Sequence, residues 1–237
     1  MRLSAPVYRL KRNARLLSRA KNIPLHEALE GIAAEEGFGS WSLLVSKASA
    51  IAPARKLFDR LIPGELVLVG ARPGHGKTLL SLELAVEAMK AGHRGVFFTL
   101  EYTEKDILER FRALAVEPAG FDGRFEFHNS DGINAGYIVK ALAGAPRGTL
   151  AVVDYLQLLD QKRENPELAV QVRELHSFAR ERGLVIVFIS QIDRFYDPSR
   201  KPCPDIGDVR LPNPLDLTVF GKTCFLQNGD IRFGAAG

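Results

Sequence analysis

The stretch that decides the fold is Leu66-Val67-Leu68-Val69-Gly70-Ala71-Arg72-Pro73-Gly74-His75-Gly76-Lys77-Thr78. Its apolar start predicts a buried strand, and its glycines predict a turn. The residues after the turn predict a helix. Gly74 and Gly76 allow backbone N–H groups to approach a phosphate closely, and the helix N-terminus adds its unpaired amides and dipole. Lys77 would neutralise phosphate oxygens, and the Thr78 hydroxyl is placed to ligate Mg²⁺. We therefore predict an ATP-binding P-loop made of Arg72, Pro73, Gly74, His75, Gly76, Lys77, Thr78 and Leu79.

One position departs from the strict P-loop pattern, which begins with Gly where this chain has Ala71. The alternative interpretation is a glycine-rich turn that happens to contain Gly-Lys-Thr. A strand before the turn and a helix after it favour the phosphate-binding loop, because that order aims the helix N-terminus at the anion.

Strand-like and helix-like segments alternate after about residue 57. The short apolar runs are Leu66–Val69, Val96–Leu100, Phe125–His128, Leu150–Asp154 and Val185–Ile189, and the helix-length segments between them are 77–91, 104–115, 133–143 and 167–182. This rhythm predicts an α/β fold in which a mainly parallel sheet lies between crossover helices. Residues 215–235 predict two or three further short strands, with Asn228-Gly229 as a tight turn.

Two of the predicted strands end in an acid, Asp154 and Glu101. Ligands gather at the carboxyl ends of parallel strands, so we expect Asp154 to face Thr78 and to hold Mg²⁺ directly or through water. We expect Glu101 to act as the general base that orients and deprotonates the attacking water. The alternatives are a solvated strand-end acid for Asp154 and a dipole-favoured helix N-terminal acid for Glu101. Glu104 and Asp106 are better explained as charges in the first turn of the next helix.

The strand after Asp154 closes with Ile189-Ser190-Gln191. An amide at this position can contact the γ-phosphate and report its loss to the segment that follows. We therefore assign Gln191 a catalytic coupling role beside Glu101 and Lys77.

The first 56 residues differ in charge from the rest of the chain. They hold ten Lys/Arg and four Asp/Glu, whereas the remaining residues hold 22 Lys/Arg and 24 Asp/Glu. Residues 7–20 predict a helix with apolar and basic faces, and a second helix begins after Pro24 and ends at Gly37. An Ala/Ser-rich segment around residues 47–54, ending at Pro53, predicts a linker or a softly packed junction. The basic face permits a nucleic-acid partner, and a merely solvated face is the alternative.

Composition excludes several classes of protein. No apolar run approaches the roughly 18–20 residues that a membrane helix needs. Arginines and lysines near the N-terminus interrupt any signal-peptide core. The two cysteines, Cys203 and Cys224, are too few for a disulfide framework, and no other metal-ligating residues accompany them at the spacing of a metal site. We expect a cytoplasmic protein with free thiols and no membrane partner.

Together these residues resemble the C-terminal RecA-like domain of the DnaB family of replicative helicases, over about residues 57–235. The pieces that carry the likeness are Gly70-Ala71-Arg72-Pro73, Thr99-Leu100-Glu101, Asp154-Tyr155-Leu156-Gln157-Leu158-Leu159 and Ser190-Gln191-Ile192-Asp193-Arg194. The resemblance implies a RecA-like P-loop NTPase fold with ATP and Mg²⁺ as cofactors. It implies nucleotide and Mg²⁺ binding by Lys77 and Thr78, Asp154 as the Walker B acid, Glu101 as the base and Gln191 as the coupling sensor.

The resemblance further implies a hexameric ring that moves on single-stranded DNA. Loops after the sensor strand line the channel in this family, so the predicted DNA contacts are Arg194, Arg200, Lys201 and Arg210, with Phe195 and Tyr196 as stacking faces. A solvated, proline-stiffened loop is the alternative.

The chain departs from the family near its last strands. Family members carry a Lys and an Arg there that reach the neighbouring subunit's γ-phosphate, whereas the matching stretch here is Phe225-Leu226-Gln227-Asn228-Gly229-Asp230. Such cations stabilise transition-state charge. The alternatives to a DNA motor are therefore a RecA-like regulatory ATPase and a nucleotide-binding module without unwinding activity. The predicted domains are a basic helical module and linker over residues 1–50 and a RecA-like ATPase domain over 57–237.

Overall fold

The computed structural model describes residues 3–5, 7–45, 53–114, 116–211, 213–227 and 230–235. The N-terminal part contains helices α1 (Val7–Lys21) and α2 (Leu25–Glu35), and residues 41–45 are also helical. Apolar residues of these helices, among them Leu10, Ala14, Ile32 and Leu44, form a hydrophobic cluster of their own. α2 ends where predicted, because Gly37 takes a positive φ of 80°.

A seven-stranded sheet forms the centre of the remaining chain. Its strands stand in the order β3 (Phe125–His128), β2 (Gly95–Thr99), β4 (Leu150–Asp154), β5 (Val185–Gln191), β1 (Leu66–Ala71), β6 (Lys222–Gln227) and β7 (Asp230–Gly234). All neighbouring pairs are parallel except β6 and β7. The predicted mainly parallel sheet is confirmed, and every carboxyl end of the parallel strands lies at one edge.

Helices cover both faces of this sheet, as a parallel sheet requires. Alternate residues of β1 point to opposite faces, so Leu66 and Leu68 join one core while Val67 and Val69 join the other. The first core includes residues of α6 (Ala135–Ala141) and α7 (Leu168–Arg182). The second includes residues of α3 (Pro53–Phe58), α4 (Lys77–Lys90) and α5 (Glu104–Ala113). The loop between β1 and α4 lies at the carboxyl edge of the sheet, where β1 stands between β5 and β6.

A short helix begins where the Ala/Ser-rich segment was predicted to end. Pro53 is the first residue of helix α3, and Ala54 and Leu57 of that helix are buried. Proline suits the first helical turn, where its missing N–H would have had no partner. Residues 46–52 and the predicted Asn228-Gly229 turn lie outside the described residues.

Candidate nucleotide-binding site

The loop between β1 and α4 has the backbone conformation that a phosphate-binding loop needs. Gly74 and Gly76 have φ angles of 81° and 89°, and α4 begins immediately after Gly76. A Cβ atom at either glycine would contact no other protein atom, so the positive φ is what requires glycine here. The first amides of α4 have no intrahelical carbonyl partner, which leaves them and the helix dipole for an anion.

The two side chains that begin α4 are both largely buried. Lys77 is 8% exposed and Thr78 is 6% exposed. Leu80 and Leu82, further along the helix, are packed into the core, which holds α4 rigidly on the sheet. A cationic side chain and a hydroxyl are thus fixed at the mouth of the loop, while Arg72, Pro73, Gly74 and His75 lie in the more accessible turn before them.

Asp154 ends β4 and is fully buried beside Thr78. The Thr78 Oγ1 atom donates a hydrogen bond to Asp154 Oδ2 over 3.3 Å. Among the described residues, the other carboxylate oxygen, Oδ1, has no hydrogen-bond partner. Burial, followed by the charge of Glu101, raises the pKa of Asp154 to about 7, against the opposing effects of Lys77 and of the Thr78 hydrogen bond. The predicted meeting of Thr78 and Asp154 is present, and it leaves one buried oxygen available to a cation.

Glu101 lies two residues beyond the end of β2, the strand that pairs with β4. Thr99 pairs in register with Asp154, and the Glu101 backbone N–H donates to Thr99 Oγ1 over 3.0 Å. The Glu101 side chain is exposed to solvent, and its charge acts on Asp154. Glu104 and Asp106 stand in the first turn of α5, as predicted. Asp106 and Thr103 also form a reciprocal N-terminal cap there. Of these three acids, Glu101 is the one that lies outside the first turn of α5 and whose charge acts on Asp154.

Gln191 ends β5 and is the register partner of Ala71, the last residue of β1. Its backbone carbonyl accepts from the Arg210 N–H over 2.8 Å, and its side-chain Oε1 accepts from Arg210 Nη1 over 3.4 Å. The predicted sensor is therefore beside the P-loop and already bonded to a residue of the segment that follows.

Sequence reasoning gave no role to Gln157, although it lies in the run that carries the family resemblance. Gln157 belongs to a 3-10 helix, Leu156–Asp160, whose leucines are buried. Its side-chain Nε2 lies 3.2 Å from Ser190 Oγ and 2.5 Å from the Arg210 carbonyl oxygen. Gln157 thus connects the end of β4 to the end of β5. The polar residue between buried leucines was the only signal in the sequence.

The four predicted DNA contacts lie in different environments. Arg194, Arg200 and Arg210 are exposed. Arg200 is 3.6 Å from Asp197, whereas Lys201 is held by Asp205 at 2.7 Å and by Asp208 at 2.6 Å. Of the two predicted stacking residues, Phe195 is 82% exposed but Tyr196 is 5% exposed, so Tyr196 offers no free face. The Arg72 guanidinium lies 5.8 Å from the Tyr196 ring centroid and thereby links the P-loop to this segment.

The fold of this chain recurs in solved structures. It superposes on a DnaB-like replicative helicase, solved together with its interactions with primase, with a TM-score of 0.60 over 95% of this chain and 71% of that one, at 18% sequence identity. A second solved ATPase domain gives a TM-score of 0.59 over 81% of this chain and 91% of that one, at 19% identity. Likeness at these identities concerns the fold. This chain therefore has the RecA-like P-loop NTPase fold.

The AAA_25 family model, described as an AAA domain, matches residues 35–208. That range is more than half of the chain, and the chain belongs to this family. A probable plasmid replicative DNA helicase of Chlamydia trachomatis serovar L2 is 27% identical over 216 residues, which are 74% of this chain and 48% of that protein. The replicative DNA helicase DnaB of Leifsonia xyli subsp. xyli is 26% identical over 186 residues, 65% of this chain and 41% of that protein. The chain spans about half the length of these curated relatives, and its predicted resemblance to the DnaB family is confirmed.

Proposed function

We propose that this chain binds ATP with Mg²⁺, hydrolyses it, and works as a motor domain on single-stranded DNA. One observation carries the proposal. Thr78 Oγ1 lies 3.3 Å from a buried Asp154 carboxylate whose second oxygen has no hydrogen-bond partner among the described residues. A buried polar atom without a partner is costly unless a ligand completes its coordination.

The donor atoms at this position fit a divalent cation. Hydroxyl and carboxylate oxygens are ligands that Mg²⁺ prefers, and Thr78 and Asp154 would hold it with the help of water and phosphate oxygens. Bound Mg²⁺ would neutralise charge on the phosphates during transfer. The raised pKa of Asp154 reflects burial of its carboxyl group and the nearby charge of Glu101, and a neighbouring cation favours the carboxylate form.

The remaining roles follow from position. Lys77 and the amides that begin α4 bind phosphate oxygens, with Arg72 to His75 and Leu79 completing the loop. Glu101 is exposed beside Asp154, where a water molecule can reach it, and it would orient that water and accept its proton. Gln191 would contact the γ-phosphate, and its bonds to Arg210 would transmit the change to the segment after β5.

The segment after β5 supports single-stranded DNA as the partner of the motor. Arg194, Arg200 and Arg210 offer cations for phosphates, and Phe195 offers an exposed ring for a base. Lys201 contributes less to this surface because two aspartates already neutralise it. The curated relatives named above are DNA helicases, which agrees with this choice of partner.

The test is steady-state ATP hydrolysis with and without single-stranded DNA, combined with mass measurement in solution. We expect Glu101→Gln to lower kcat by about 10² to 10⁴, the usual contribution of a general base, while ATP binding persists. The matched control is Glu104→Gln, three residues further on and inside the N-terminal turn of α5, which should change kcat less than about twofold. Hydrolysis by Glu101→Gln at the rate of the unmodified chain would contradict the proposed role.

The second candidate is a RecA-like regulatory ATPase or a nucleotide-binding module without unwinding activity. Phe225 and Gln227, at the end of β6, are buried and carry no charge where the DnaB family has its two cations. A monomer whose rate of ATP hydrolysis does not change when single-stranded DNA is added would favour this candidate. A nucleotide-dependent ring of about six subunits would favour the motor.

The domain division is part of the same proposal. Residues 1–50 would form the basic helical module and linker, and residues 57–237 the ATPase domain, in the cytoplasm. No helix within the described residues is long and apolar enough to cross a membrane.

A further inference from the structure

Helix α1 carries a face made of arginines. Leu10 and Ala14 point into the N-terminal hydrophobic cluster. An α-helix turns about 100° per residue, so the side opposite these two is occupied by Arg9, Arg12, Arg15 and Arg19, with Leu16 among them. All five side chains are exposed. We call the four arginines the outward arginine face.

The charge of this face has no internal compensation. Helix α1 contains no acidic residue, and none of the four arginines takes part in an ion pair within the described part of the chain. Two acids of the same part of the chain are hydrogen-bonded to backbone amides: Glu30 accepts from the Trp41 N–H over 3.0 Å, and Glu36 accepts from the Ser4 N–H over 2.8 Å.

The dimensions of the face match a regular polyanion. Arg9 and Arg19 are ten residues apart, which is about 15 Å along a helix axis at about 1.5 Å per residue. Guanidinium groups bind phosphate oxygens in a two-pronged geometry, so four of them on a rigid helix can meet several phosphates held at fixed spacing. Double-stranded DNA presents one phosphate charge per about 1.7 Å of its axis.

We propose that the outward arginine face binds the phosphate backbone of double-stranded DNA without reading its sequence. Duplex DNA fits this face better than a flexible single strand, because one helix holds the four guanidinium groups at fixed spacing and a duplex holds its phosphates at fixed spacing. An anionic membrane fits less well, because Leu16 is the one large exposed apolar residue on the described face while Leu10 and Ala14 are buried. This contact is separate from the ATP site and from the segment after β5, and it does not depend on the proposed ATPase activity.

Duplex binding of the full chain without nucleotide tests the proposal, by fluorescence anisotropy on a blunt-ended duplex over a range of salt concentrations. The variant replaces all four arginines (Arg9→Gln, Arg12→Gln, Arg15→Gln and Arg19→Gln). Glutamine has nearly the helix propensity of arginine, so α1 should persist. We expect duplex affinity to fall at least about 30-fold near 100 mM salt, and the slope of log affinity against log salt to flatten by about 3 to 4. ATP hydrolysis without DNA should not change.

Two further variants separate local from general effects. The matched control removes four exposed charges on and before α7 (Lys162→Gln, Arg163→Gln, Arg173→Gln and Arg180→Gln) and should keep the salt slope. Replacing the four arginines of the face by lysine should keep most of the slope with weaker affinity, because the charge remains but the two-pronged geometry is lost. Circular dichroism shows whether each variant is folded. The proposal is overturned if the glutamine variant binds duplex like the control, or if it loses binding only to single-stranded DNA or to anionic vesicles.

Discussion

At the scale of single residues, Asp154 shows how burial changes an ordinary side chain. In the sequence it is one of the two acids that end a predicted strand. In the folded chain it is fully buried against Thr78, and burial raises its pKa to about 7. The same burial that disfavours the isolated carboxylate makes it a stronger ligand for a cation, because no water competes for its free oxygen.

Gly70 is the residue at which packing around the interior strand β1 can be tested. A Cβ atom there would lie 2.6 Å from Cε1 of Phe225 and 3.1 Å from Cδ1 of Ile192. We expect Gly70→Ala to lower the free energy of unfolding by about 1–3 kcal/mol, because a well-packed core gives way poorly to an added methyl group. Chemical denaturation measures the change.

The control for this substitution is Gly31→Ala in α2. A Cβ atom at Gly31 would contact nothing, and alanine is a better helix former by about 1 kcal/mol. This variant should therefore be as stable as the unmodified chain or more so. Recovery of stability in the double variant Gly70→Ala, Phe225→Leu would identify the ring as the obstacle, and full stability of Gly70→Ala alone would refute the packing argument.

At the scale of elements, α4 is buried on more than one side because it lies between the sheet and its neighbouring helices. Ten of its 14 residues are buried, and Lys77 and Thr78 are among them. This explains why the P-loop is rigidly placed. It also leaves one acid, Glu83, in a poorly solvated position: burial, followed by the charge of Glu87, raises the pKa of Glu83 from 4.5 to about 7.

The raised pKa of Glu83 predicts a pH-dependent stability. A carboxyl group with a higher pKa in the folded state binds more protons there than in the unfolded state, so stability falls as pH rises from 4.5 to about 7. We expect Glu83→Gln to raise the free energy of unfolding at about pH 8 by an amount on the order of 1–3 kcal/mol and to have little effect near pH 4. Thermal or urea denaturation at both pH values measures this difference.

Glu109, exposed on α5, provides the comparison for Glu83. Its replacement by glutamine should change stability by less than about 0.5 kcal/mol at either pH. If Glu83→Gln raised the free energy of unfolding equally at both pH values, ionisation of Glu83 would not be the cause of the stabilisation.

At the scale of the whole molecule, the apolar residues of the N-terminal part form a cluster that shares no member with the two cores of the sheet. Leu44 belongs to the N-terminal cluster, whose members lie within residues 3–45, whereas Leu84 belongs to a core beneath α4 and the sheet. We propose that these clusters are the cores of the two predicted domains. The nucleotide site draws its rigidity from the sheet and α4.

Paired truncations test this division. Leu44→Ala should destabilise the helical module by about 2–5 kcal/mol and leave nucleotide affinity unchanged, since the cavity opens in the N-terminal cluster. Leu84→Ala should lower the free energy of unfolding by a similar amount. It should also weaken nucleotide binding, because the cavity opens under α4, the helix that begins at the P-loop. Calorimetric unfolding and titration with a fluorescent ATP analogue measure the two effects. Equal loss of nucleotide affinity in both variants would mean that the two clusters act as one unit.

The fold was largely predictable because its signals are local. A strand–glycine turn–helix order, repeated apolar runs and two strand-end acids predict a parallel sheet with a phosphate site at one edge, and strand order and register agree with this. Helix α3 was missed because six residues beginning with Pro53 carry too short an apolar pattern.

The sequence by itself determined the P-loop, its glycines and the approximate limits of most strands, because these depend on backbone dihedrals and on residue spacing along the chain. Only the tertiary structure decided which side chains meet. It brought Thr78 to Asp154 across 76 positions in the sequence, bonded Gln191 to Arg210, buried Tyr196 while leaving Phe195 exposed, and neutralised Lys201 with two aspartates. The physical reason is that desolvation, hydrogen bonding and ion pairing act through space, and the distances that set them exist only once the sheet has formed.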